Sequence, residues 1–319
     1  MLTQARLAVR QAIASSDIPL GPGDRVIVAV SGGADSLLLA YCLVKESVEL
    51  ALQISAVVID HRLQENSSEI AAQAKRSLEV LGITQVRIIP VDVVKQDGIE
   101  ADARRARYAA LDSYADETGA AAIFLGHNQD DLAESVLLGL TQGAGTKSLA
   151  GMAIHDGRYL RPFLTLARAE IIAACAEGKI EFWSDPHNDD ERFTRVKIRK
   201  RILPMLESEI GPGIADALAR SARIFREDSD ALEMLTDEIY ATIKDPMSIE
   251  IALLERLPAA LRKRVIRRAA ASLGATRISA EQIGWVDALI SHWHGQKEVA
   301  LPAGVIVRRE SGRLALSKQ

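Results

Sequence analysis

Two short strings hold the residues of this sequence that could do chemistry. The first is Ser31-Gly32-Gly33-Ala34-Asp35-Ser36. Its glycines admit positive φ and let backbone come close to a ligand. The N–H groups of such a turn, running straight into a helix start, form an anion site. Asp35 then supplies a carboxylate where a metal ion accompanying the anion would sit. The second string is His127-Asn128-Gln129-Asp130-Asp131-Leu132-Ala133-Glu134. Asp130 and Glu134 are four residues apart and share one face of a helix. Two carboxylates on one face repel each other unless a cation, metal or amine, lies between them. A plainer reading stands beside both strings: acids in a first helical turn complement the helix dipole in any α/β protein.

The elements that must position these strings are legible in the hydrophobic pattern. Val26–Val30 reads as a buried parallel strand, with a helix running on through Leu37 to Val44. Ile54–Asp60, Val86–Asp92 and Ala121–Gly126 read as further strands. The helices between them are expected at about Ser67–Leu81, Glu100–Thr118 and Asp130–Leu140. Pro90 suggests a strand end or edge. This alternation predicts an α/β fold: a parallel-sheet, Rossmann-like N-terminal domain covered on both faces. Ligands of such sheets lie beyond the carboxyl ends of the strands, and those ends carry Ser31–Asp35, Asp60-His61-Arg62 and Gly126-His127. Gly211-Pro212-Gly213 reads as the boundary between a domain over 1–210 and a second over 211–319. The second is mostly helical as far as about His292 and ends in a small antiparallel β unit.

Composition excludes several classes. The 319 residues are 48% hydrophobic and 26% charged with a net charge of −4, so any nucleic-acid contact must come from local basic patches. No apolar run nears the roughly 18 residues of a membrane helix. Met1–Arg6 reads as the start of an amphipathic helix rather than a leader. Cys42 and Cys175 lie far apart in apolar helical patterns, which predicts buried free thiols and a reducing cytoplasm.

The first string is not a Walker loop, because no Gly-Lys follows it, and it is not Gly-x-Gly-x-x-Gly. Gly143-Ala-Gly145-Thr146-Lys147 looks like a Walker loop at first sight, but it follows a helix and reads as the turn closing it. Arg104 and Arg107, three apart on a basic-faced helix, are either a solvated face or a guanidinium fork over phosphate or carboxylate.

Ser31–Ser36 resembles the PP-loop of the N-type ATP pyrophosphatases, which split ATP between the α and β phosphates. Five segments in order extend the likeness, and the chain resembles the tRNA(Ile)-lysidine synthetase family over roughly residues 24–210. They are the PP-loop; Asp60-His61-Arg62-Leu63 with Ser67; Gly98-Ile99-Glu100 with Arg104 and Arg107-Tyr108; His127 through Glu134 with Gly143-Ala-Gly145 and Leu149–Met152; and Arg161–Leu164 with Arg168, Trp183–Asn188, Arg195, Arg199 and Ile202–Pro204. Three positions depart from the family pattern. Arg62-Leu63-Gln64 stands where Gly-Leu-Arg is expected, Arg195-Val196-Lys197 where Arg-Asn-Arg is, and Gly126-His127 where a double histidine is.

The resemblance implies an ATP- and Mg²⁺-dependent ligase acting in the cytoplasm. It adenylates C2 of the wobble cytidine in the CAU anticodon of tRNA(Ile), and free L-lysine then displaces AMP. The implied catalytic residues are Asp35, Asp130, Glu134, His127 and Arg104. ATP would be held by Ser31, Gly32, Gly33, Ala34, Asp35, Ser36 and Arg107, with Mg²⁺ on Asp35. Asp130 and Glu134 would receive the lysine ammonium, and His127 or a carboxylate its proton. Arg192, Arg195, Lys197, Arg199, Lys200 and Arg201 form a basic run that would track tRNA phosphates, with Arg262–Arg268 as a second track. A homodimer is compatible with the sequence. The competing readings are a tRNA thiolase, which needs a paired cysteine; an amidating synthetase, which does not need the basic run; and a non-catalytic tRNA-binding module, which has no use for clustered acids.

Overall fold

A computed structural model describes residues 1–62, 67–92, 99–143, 145–183 and 193–319. Arg192 and the polar turn after Trp183 lie outside the described residues. In chain order the elements of the first half are α1 (Leu2–Ala14), β1 (Arg25–Val30), α2 (Ala34–Leu50), β2 (Gln53–Asp60), α3 (Ser67–Val80), β3 (Val86–Pro90), α4 (Ile99–Thr118), β4 (Ala122–Leu125), α5 (Gln129–Thr141), α6 (Thr146–Leu149), β5 (His155–Asp156), β6 (Tyr159–Leu160) and α7 (Arg168–Glu177). Then come α8 (Thr194–Lys197), a π-helical turn over Ile198–Ile202, α9 (Leu203–Glu209) and α10 (Ile214–Thr242). The last elements are β7 (Ser248–Glu250), α11 (Ile251–Glu255), α12 (Ala259–Ser272), α13 (Ala280–Ser291), β8 (Val299–Leu301), β9 (Val305–Glu310) and β10 (Arg313–Lys318).

The strands of the first half form a six-stranded sheet in the order β3-β2-β1-β4-β6-β5. β1 pairs in parallel with both β2 and β4, and among the described residues only the two-residue β5 runs antiparallel. The central strand explains why both faces must be covered. Side chains alternate along a strand, and Val26, Val28 and Val30 enter one apolar cluster with α1, α2 and α7, while Ile27 enters another with Leu111 and Ala115 of α4. The sheet edge falls at β3, which ends on Pro90, where a missing N–H costs no ladder bond.

The chain divides into two compact units, residues 1–144 with 148–223, and 145–147 with 224–319. The second is built round a four-stranded antiparallel sheet in the order β7-β10-β9-β8, packed with α11, α12 and α13. β7 is an addition to the sequence expectation, which ran helix through this region. Three residues are too short for a period of two to declare itself. The basic stretch of α12, expected as a phosphate track, spends its guanidiniums internally. Arg262 is buried against Asp287 at 2.6 Å, Arg264 pairs with Glu233 at 3.4 Å, Arg268 bonds Asp237, and Arg267 donates to the Ile278 carbonyl at 2.6 Å.

Candidate active site

The chain leaves β1 at Val30 and reverses through Gly32, whose φ of +87° is a conformation that favours glycine. Gly33 is extended and forms the N-cap of α2. The Ser31 N–H donates to Ser36 Oγ at 3.1 Å, and Ser36 Oγ donates to the Gly33 carbonyl at 3.0 Å. Ser36 is thus a buried staple for the turn. The Gly32 carbonyl accepts from the Trp183 N–H at 3.1 Å. The first-turn N–H groups of α2 have no intrahelical acceptor, so the turn offers donors at its open end.

β4 ends directly beneath this turn. A Cβ on Gly126 would lie 3.0 Å from the Ser36 nitrogen and 3.1 Å from the Asp35 carbonyl carbon, both backbone atoms. A side chain there would require the α2 backbone to give by a few tenths of an ångström. Gly126→Ala is expected to cost about 1–3 kcal/mol through overpacking and to weaken nucleotide binding with it. Thermal unfolding and ATP titration of the variant check this, and an unshifted midpoint would contradict the close approach.

Asp35 is held on both oxygens. Oδ1 accepts from Asn128 Nδ2 at 3.0 Å and Oδ2 from Arg168 Nη1 at 3.2 Å. Asn128 is itself fixed as the N-cap of α5. Its side chain accepts from the Asp131 N–H while the Asp131 carboxylate accepts from the Asn128 N–H, both at 3.0 Å. One amide thereby ties the starts of α2 and α5 together.

The acids of α5 do not pair as the four-residue spacing suggested. Asp130 accepts from the Arg168 N–H at 2.8 Å and so caps α7. The cation between two carboxylates is present, but it joins Asp131 to Glu134. Arg199, from the π-helical turn, donates through Nε to Glu134 at 2.6 Å and through Nη2 to Asp131 at 3.0 Å. Glu134 is fully buried, and its second oxygen, Oε2, has no partner. Burial pushes both carboxyls above their ordinary range, against the opposing pull of Arg199.

Beyond the strand ends lies a cavity of about 320 Å³, walled by Ser31 and Asp35 of the turn, His61 after β2, Arg107 of α4 and His127 after β4. Nδ1 of His61, Nδ1 of His127 and Nε of Arg107 are buried there without partners. Burial lowers both imidazole pKa values, His127 the more, and the Arg107 charge adds to it, so both rings are neutral at pH 7. Arg104 is elsewhere, lying over the Tyr108 ring at 4.9 Å and bonded to its hydroxyl at 3.2 Å. Of the two arginines left open by the sequence, Arg107 reaches the cavity wall. Cys42 and Cys175 are buried free thiols, raised by burial to about 12 and about 11, so neither is a nucleophile at neutral pH.

Asn128 and Asp131 were readable in principle as a capping box, Asn-x-x-Asp before an apolar run. Nothing local announces Arg168, which comes to Asp35 from 133 residues away.

A parallel sheet with a glycine turn at the tip of its first strand is the architecture of a PP-loop domain, and the family model for that domain matches residues 3–206. A second model, the TilS substrate binding domain, matches residues 250–315. The tRNA(Ile)-lysidine synthase of Leifsonia xyli is 45% identical, covering 93% of this chain and 90% of its own. That of Thermobifida fusca is 44% identical, covering 98% and 96%. The chain belongs to the tRNA(Ile)-lysidine synthase family, whose members are ATP-using ligases of the PP-loop class. Among solved structures, the U34-tRNA thiolase NcsA of Methanococcus maripaludis, described with its [4Fe-4S] cluster, aligns at a TM-score of 0.58 with 19% identity over 70% of this chain and 78% of its own. That likeness concerns the fold alone.

Proposed function

We propose that this protein ligates L-lysine to C2 of the wobble cytidine in the CAU anticodon of tRNA(Ile), through an adenylated cytidine, releasing pyrophosphate and then AMP. The observation that carries the reading is the glycine turn of Ser31–Gly33 bordering a cavity with Arg107 in its wall and the Asp131–Glu134 pair on the next helix over.

In the first step the C2 oxygen of cytidine attacks the α-phosphorus and the bond to the β-phosphate breaks. N–H groups at the start of α2 and the Arg107 guanidinium take the charge that grows on the departing pyrophosphate. Mg²⁺ fits Asp35. Among the described residues no cluster of three or more potential ligands exists, and Mg²⁺ is commonly held by one or two carboxylates together with substrate phosphates. When bound there it would neutralise phosphate charge as a Lewis acid. Asp35 keeps spare lone pairs for this, since each of its oxygens accepts one hydrogen bond.

In the second step the ε-amine attacks C2 and AMP leaves. The amine attacks only when neutral. Asp131, 18% exposed beside Arg199, is the acid of this pair proposed to receive the ammonium, while the fully buried Glu134 holds Arg199 in place. His127, whose neutral imidazole lines the cavity, is the proposed proton acceptor. Asp130, occupied in capping α7, is then a positioning residue. In the basic run, Arg199 serves the acids, and Arg195, Lys197, Lys200 and Arg201 are the residues proposed to meet RNA phosphates. A cytoplasmic setting goes with a tRNA substrate, and among the described residues no helix is long and apolar enough to cross a membrane.

Mass spectrometry of the wobble nucleoside after incubation with tRNA(Ile), ATP and lysine tests the reading. Cytidine gaining one lysine less water is the expected product. Unmodified cytidine, with ATP consumed, would contradict the substrate assignment.

A further inference from the structure

Arg62, the second residue past β2, holds φ at +51°. Glycine adopts that left-handed conformation freely, whereas an L side chain does so at a cost. Residues kept in it cluster at functional sites. The backbone is fixed there by the Arg62 N–H, which donates to the buried Asp60 at 2.9 Å. The residue borders the cavity described above. Its recorded ion pair, to Asp92 at 3.3 Å, does not account for an arginine at this position. The two side chains are 57% and 84% exposed, and pairs of that kind contribute almost nothing.

The charge of the cavity gives the arginine a use. Among the described wall residues the formal charges are Asp35 and Asp60 against Arg62 and Arg107, with both histidines neutral. A wall with no net charge receives a strongly anionic triphosphate. The Arg107 Nε is buried within the wall, whereas Arg62 stands on an exposed stem with only a weak surface partner to give up.

We infer that Arg62 is a polyphosphate-binding residue: its guanidinium leaves Asp92 for the phosphates of the nucleotide at the glycine turn, aimed by its left-handed backbone. This rests on the cavity being the nucleotide site. The recognised chemistry is phosphate, and the nucleotide rather than the RNA backbone is its source, because the residue borders the cavity with Asp35 and Arg107.

The test measures affinities of the full chain for ATP, adenosine and tRNA by calorimetry, in the parent, Arg62→Gly and Arg62→Asn. Both substitutions accept a left-handed backbone, so the fold is kept and the thermal midpoint is expected at or above that of the parent. Loss of a charge-assisted contact should raise the ATP dissociation constant about tenfold in both variants, with adenosine and tRNA unchanged. Arg62→Lys should lose less. An unchanged ATP affinity in both variants would overturn the assignment, as would equal weakening of ATP and adenosine, or weakening of tRNA alone. A parent that does not bind ATP would overturn the nucleotide site itself, an outcome distinct from a parent and variants that bind it equally.

Discussion

Asp35→Asn is expected to lower turnover by a factor of about 10²–10³, the range seen when one preorganised charge-stabilising group is removed, while leaving the fold intact. The amide keeps an acceptor for Asn128 Nδ2, so the link between α2 and α5 survives. The ion pair with Arg168 is lost, but Arg168 is 38% exposed and the pair contributes at most about 1 kcal/mol. What the amide cannot do is present an anionic oxygen to a cation bound beside phosphates. Pyrophosphate release in the presence of tRNA and lysine, read beside the thermal midpoint, separates the two consequences. Turnover within threefold of the parent would remove Asp35 from the chemistry. A collapse of the midpoint would make it a structural residue.

Arg199→Met has the largest expected effect on stability. Glu134 is fully buried and Asp131 is 18% exposed, and both lean on one guanidinium. Removing one partner of a buried pair costs about 3–5 kcal/mol, because a charge remains without compensation. The loss should depend on pH, with a sign that follows from the carboxyl. Burial already raises the Glu134 pKa above its ordinary value of 4.5, and Arg199 is the group holding it down. Without Arg199 the folded-state pKa rises further. The native variant then keeps a proton that the unfolded chain releases. Its stability is fullest below the unfolded pKa and is lost as pH rises through the folded pKa. Denaturant unfolding should therefore show a smaller deficit at pH 5 than at pH 8. Adding Glu134→Gln should recover part of the loss at pH 8. A deficit of equal size at both pH values would show that Glu134 carries no charge in the pair.

How much of this was legible in the sequence depended on whether the cause was local. The β1 strand, the glycine turn and the start of α2 are contiguous, and their apolar run and glycines declare them. The helix after β4 was equally plain, but its acids were misallocated. Spacing joined Asp130 to Glu134, whereas the fold spends Asp130 on the N-terminus of α7 and bridges Asp131 to Glu134 with Arg199, 65 residues downstream of Glu134. A helical wheel places residues on faces but does not say which distant cation arrives. The same limit applies to Arg104 and Arg107, neighbours on one face until Tyr108 takes the first and the cavity wall the second. The α12 arginines look like an RNA track in sequence because Glu233, Asp237 and Asp287, which neutralise them, lie far along the chain. Gly126 could be read only as a missing imidazole until the Ser36 backbone was seen 3.0 Å from where its Cβ would stand.

The central claim is that the turn at the tip of β1 grips the nucleotide so that the adenylyl group is transferred. ATP labelled at the α-phosphate, followed through one turnover with tRNA(Ile) and lysine withheld, tests it most directly. Label is expected on the tRNA and unlabelled pyrophosphate in solution, with AMP released when lysine is added. Labelled ADP with free phosphate, and no label on the RNA, would contradict it.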